Sequence, residues 1–170
     1  MSSAEHVETA VFLVNVLKRM LFAFDCLDNL PPGVEPVSPH CALYFDSIYN
    51  YTAQLFLLDK GSQPMGGTAY PALNALGLAD LLTPVKAVLD RPIGDTTFGE
   101  AVRILRNTAI VHSTHSDSDL DRIYELVGAA VEGNQALWVS LLQDLREAVA
   151  VLTVRVALST GRPLDDFEMG

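Results

Sequence analysis

The stretch "HCALYFDSIYNYTAQLFLLDK", residues 40–60, reads as a helix with almost no polar side. Its apolar residues recur at spacings of three and four around most of the circumference, and a helix of that kind must be enclosed by others. The same period runs through nearly the whole chain, and no alternating runs between hairpin turns compete with it. The expectation is an all-α bundle of four to five main helices with a few short helical pieces.

Working outward, helix one is expected over residues 4–29, stopped by "PPGVEPVSP" (31–39), whose four prolines in nine residues cannot continue it. Helix two ends before Gly61, a residue suited to the position just past a helix. After the glycine-rich "GSQPMGG" (61–67) come two short helical pieces, "AYPALNALG" (69–77) and "LADLLTPVKAVLD" (78–90), the second broken or restarted at Pro84. "RPIGD" (91–95) separates them from a helix expected over 96–114 with Asp95 as N-cap. Ser118 and Asp121 have capping-box spacing ahead of "DLDRIYELVGAAV" (119–131). Asn134 caps a long last helix, "QALWVSLLQDLREAVAVLTVRVALST" (135–160), that stops at Gly161 and Pro163. The acidic tail 162–170 is expected to fray.

A chain of 170 residues with 49% hydrophobic content is one domain's worth, 1–170, with enough core to hide roughly 70% of its unfolded surface. Cys26 and Cys41 lack CxxC spacing, and no charged n-region followed by an apolar h-region opens the chain, which favours a reduced, cytoplasmic compartment. The apolar run "VFLVNVLKRMLFAF" (11–24) is interrupted by Asn15, Lys18 and Arg19 before it reaches the ~20 residues a bilayer needs, so no membrane partner is expected. A formal net charge of −10 opposes broad binding to nucleic acid, which depends on Lys and Arg neutralising phosphates. Any RNA or nucleotide contact must be local. The least acidic window, residues 86–106, has a balance of +1 against −11 for the remainder.

That window leads into "AVRILRNTAIVHSTHSD" (101–117), which holds two of the four histidines. On one helix Phe98, Ala101, Val102, Leu105, Ala109 and His112 fall along one stripe that should face the core. Arg106 lies about 120° around from His112 and roughly 9 Å along the axis, so the two cannot readily bond each other. Each needs a partner from elsewhere. Arg103 and Asn107 share the Arg106 side and make a polar edge. Two readings of the residues stand side by side: a histidine that ends a helix against its dipole with Arg106 paired to a carboxylate, or a reactive pair completed by other groups.

The segment "LRNTAIVH" resembles the signature of the HEPN superfamily, small all-helical domains with an Arg, often followed by a polar residue, and a His four to six residues after the Arg. Here those are Arg106, Asn107 and His112, and the succession of helices is also similar. The resemblance implies a homodimer in which the motif helices of two chains face each other and build one composite site. In catalytic members that site is a metal-independent endoribonuclease of toxin or defence type, some of them paired with an antitoxin. By carry-over His112 transfers protons, Arg106 stabilises charge on the phosphate, and Asn107 positions. The tyrosine that some members carry two places after the His is Thr114 here. Many members are non-catalytic modules that bind a nucleotide or a protein, and that alternative stays open.

Asp46, Asn50 and Gln54 form an i, i+4 polar line on helix two. They read either as a solvent strip or as a support in which Asp46 or Asn50 holds Arg106, since a guanidinium near the core must be paired. "HSTHSDSDLD" (112–121) offers possible metal ligands, but Arg122 and Gly128 stand where a calcium loop needs Gly and Glu. With no HExxH and no Glu-x-x-His pair, neither metal nor cofactor is expected.

Overall fold

The computed structural model describes residues 3–30, 39–57, 67–111 and 135–161. Within them the chain forms six α-helices: α1 (Ser3–Asp28), α2 (Pro39–Phe56), α3 (Ala69–Ala75), α4 (Thr83–Leu89), α5 (Phe98–Val111) and α6 (Gln135–Ser159). A 3-10 turn, Ala79–Leu82, leads into α4 with Pro84 in its first turn, where the missing N–H costs nothing. This is the all-α bundle the periodicity predicts.

α2 packs between α1 and α5, the middle place its apolar circumference requires, and α1 packs on its other side against α6. Leu13, Val14, Leu17 and Met20 of α1 meet the buried side of a core completed by Ile48, Leu141, Leu145 and Leu152. Two threonines, Thr52 and Thr153, are fully buried within it. Each hydroxyl donates at 2.7 Å to the carbonyl four residues back, Ile48 O and Val149 O, so neither leaves an unsatisfied polar atom. Arg146 of α6 ties down the end of α1 through Asp25 at 2.5 Å and Asp28 at 2.6 Å. Arg91 pairs with Asp144.

α2 ends at Phe56, earlier than the expected residue 60, because the chain returns to its last turn. The Gln54 carbonyl, which a longer helix would reserve for its own ladder, accepts both the Thr68 N–H at 2.9 Å and the Thr68 hydroxyl at 3.1 Å. Gly67 makes this approach possible. Its φ is +49°, and a Cβ there would stand 2.5 Å from the backbone of residues 54 and 55.

Two further departures surround the start of α5. "RPIGD" is part of a two-stranded antiparallel hairpin in which Pro92 pairs with Thr97 and Ile93 with Thr96, a feature the helical period does not announce. Gly94, with φ +56°, takes the first place of its two-residue turn. Asp95 therefore sits in the turn and is not the cap. Thr97 is: its hydroxyl accepts the Glu100 N–H at 3.2 Å, while the Phe98 N–H donates to Arg91 O at 2.9 Å. At the far end of α6, Gly161 has the expected left-handed φ, +69°. The Gly61, Ser118, Asp121 and Asn134 signals and the tail 162–170 lie outside the described residues.

Phe98 is fully buried and meets the Trp138 ring edge-on, with centroids 5.0 Å apart. Phe98→Ala should lower unfolding free energy by about 3–5 kcal/mol in urea titration, the usual cost of emptying a buried aromatic site. A loss below about 1 kcal/mol would mean that α5 is anchored elsewhere.

Candidate functional site

α5 begins beside the end of α2: a Cβ added to Gly99 would come within 3.2 Å of Leu57 Cδ2. Since the two helices then pack along each other, they run antiparallel. Arg106 lies roughly 10 Å along α5 from Gly99, about the rise that separates Leu57 from Asn50 on α2. The expected stripe begins as predicted, with Phe98, Ala101 and Val102 fully buried and Leu105 partly so. The side chains of residues 107–111 and the whole of His112 lie outside the described residues.

Arg106 is half-buried, as a polar residue flanking a core stripe should be. Its Nε is enclosed and makes no hydrogen bond, although the residue does not lack interactions. Asp46 and Asn50 are on the helix that packs against α5, yet among the described residues no hydrogen bond or ion pair joins either of them to Arg106. Asn50 instead accepts from Gln54 Nε2 at 3.3 Å, on an exposed part of α2. That pair follows the solvent-strip reading.

Arg103 is committed locally. Its Nε donates to Glu100 Oε2 at 2.7 Å and its Nη2 to Oε1 at 2.5 Å, a two-pronged pair one turn apart on α5. The pair borders a shallow cleft of about 260 Å³ lined also by Leu57, Leu89, Asp90 and Thr97. The cleft lies at the start of α5, at the opposite end from Asn107. With Arg91 on Asp144 and Arg103 on Glu100, two of the four basic residues in the least acidic window are spent on structure.

Asp46 belongs to a cluster that the sequence did not assemble. Tyr49 is stacked on Phe45 and meets Trp138 edge-on at 6.1 Å. Burial pushes the Tyr49 phenol up to about 12; a hydrogen bond from the Trp138 indole N–H pulls it back, and the nearby Asp46 carboxylate raises it further. A raised phenol pKa means that stability from this group is whole below the ordinary value of 10 and is lost as pH climbs toward 12. Burial likewise raises the Asp46 carboxyl above its ordinary 3.8. Long-range packing creates this cluster, so no local spacing could reveal it. By contrast, the Thr97/Glu100 cap and the Glu100/Arg103 pair are local, at spacings of three, although the sequence reading put the cap at Asp95 and did not pair Arg103.

Among the described residues no group of three or more His, Cys, Asp or Glu could hold a metal, and no helix is long and apolar enough to cross a membrane. The "HSTHSDSDLD" stretch lies outside them. No family model, curated protein or solved structure matches the chain.

Because its charged form is the disfavoured one, Asp46 weakens the fold near neutral pH. Asp46→Asn should raise the melting temperature at neutral pH, with the gain fading once pH falls below the ordinary carboxylate range and both side chains are neutral. A lower melting temperature for Asp46→Asn at neutral pH would show that the carboxylate makes a stabilising contact.

Proposed function

We propose that the chain is a HEPN-like, metal-independent endoribonuclease of toxin or defence type, active as a homodimer in the cytoplasm. The observation that carries the reading is the setting of Arg106. It is half-buried on a regular helix that is anchored at its start by Phe98 and Thr97, and it heads the sequence Arg106-Asn107-x4-His112. A guanidinium in such a place is oriented before a phosphate arrives, which is what charge stabilisation in a transition state needs.

In the proposed site the motif helices of two copies face each other across a two-fold axis, so that each contributes an Arg106 and a His112. One His112, neutral near physiological pH, takes the proton from a ribose 2′-hydroxyl. The 2′-oxygen attacks the adjacent phosphorus, and the bond to the 5′-oxygen breaks. The other histidine, protonated, supplies the proton to that leaving oxygen. Arg106 braces the non-bridging oxygens with charge-assisted hydrogen bonds, and Asn107 orients the phosphate or the imidazole. An antitoxin partner is consistent with this class.

A second reading is a non-catalytic dimeric module for a nucleotide or protein partner. The observation that favours it is electrostatic: the net charge is −10, and Arg91, Arg103 and Arg146 are all held by carboxylates. Cleavage of RNA without added metal separates the two. His112→Ala is expected to lower the rate about 10²–10⁴-fold, the typical contribution of a positioned acid or base. Equal rates in the two proteins would remove the catalytic assignment.

A further inference from the structure

The second half of α6 is apolar on both sides. One side carries the buried Val149, Leu152, Val156 and Ala157, and the other leaves Val151, Val154 and Leu158 exposed at 56%, 43% and 62%. Spacings of three and four put these three on a single outward stripe. A helix that is apolar all round is normally enclosed, and among the described residues nothing encloses this side.

The charges around the stripe say what would. Glu147 stands four residues before Val151 and Arg155 four residues after it, so the two lie about 6 Å to either side of it along the helix axis. Both are exposed, and among the described residues neither makes an ion pair or side-chain hydrogen bond. This arrangement is self-complementary. If a second α6 lies antiparallel on the first with a two-fold axis beside Val151, each Glu147 meets the other copy's Arg155, and both pairs form at once. Parallel packing would instead oppose Glu147 to Glu147 and Arg155 to Arg155. A partner of unrelated sequence has no reason to match charges placed symmetrically about one valine.

We infer that the outward face of α6 is an interface between two copies of this chain, paired antiparallel about Val151. Val151 of both copies meets at the axis, Val154 of each lies toward the other copy's Ala148, and the Glu147–Arg155 pairs close the contact on both sides. The contact involves no residue of α5, and it stands whether or not the ribonuclease reading does. A single helix face is small beside standard interfaces of roughly 800 Å² per partner, so the association is concentration-dependent.

Sedimentation velocity across a concentration series tests the pairing. The wild type should associate, and Glu147→Arg or Arg155→Glu alone should weaken association roughly tenfold or more, because each turns two attractive pairs into two repulsive ones. An equimolar mixture of the two single variants should recover it, since every pair between the unlike chains is again opposite in sign. The double variant Glu147→Arg/Arg155→Glu should recover it within one chain, which also shows that the substitutions leave the fold intact. A wild type that stays monomeric, single variants that associate as the wild type does, or a mixture that fails to recover would each overturn the inference.

Discussion

Trp138 is the contact through which α6 reaches both α5 and α2. It projects from the first turn of α6, and its ring lies edge-on to Phe98 at 5.0 Å and to Tyr49 at 6.1 Å. One side chain thus joins α6, the start of α5 and the middle of α2. Edge-to-face geometry fixes angles as well as distances, which a cluster of aliphatic side chains does less strictly.

From that contact the placing of α5 follows. Phe98 is its first residue, Thr97 caps it, and the hairpin delivers it through the bond from Phe98 N–H to Arg91 O. Gly99 lets the helix lie close against Leu57 and the Leu89 carbonyl. The direction of α5 is therefore set at its beginning, and Arg106 inherits its place from a rigid anchor about two turns away. Ion pairs reinforce the frame at its edges, with Arg146 on Asp25 and Asp28. They are more than a third exposed and act mainly to align helices that the core already holds.

Much of the fold was legible in the sequence because helical period and helix-breaking residues are local signals. α1 was placed to within a residue at each end, Pro84 was recognised as a restart, and Gly161 as a stop. The hairpin at 92–97 was missed because two-residue strands carry no period, and Asp95 drew the cap away from Thr97 because both residue types suit it. The end of α2 was misjudged because the residues that intercept Gln54 lie fourteen positions further on. At the candidate site the stripe Phe98, Ala101, Val102 was read correctly. Among the described residues Asn50 bonds Gln54 and Asp46 lies near Tyr49, and neither is joined to Arg106. Side-chain choices of that kind depend on contacts that sequence spacing does not encode.

The central chemical claim is that Arg106 and His112 act on the ribose 2′-hydroxyl. The chemistry of the product ends tests it most directly, with RNA incubated in a metal chelator and the fragments analysed by mass spectrometry. Attack by the 2′-oxygen must leave a 2′,3′-cyclic phosphate on one fragment and a 5′-hydroxyl on the next. Fragments ending in 3′-hydroxyl and 5′-phosphate, or RNA left intact by the wild type, would contradict the account.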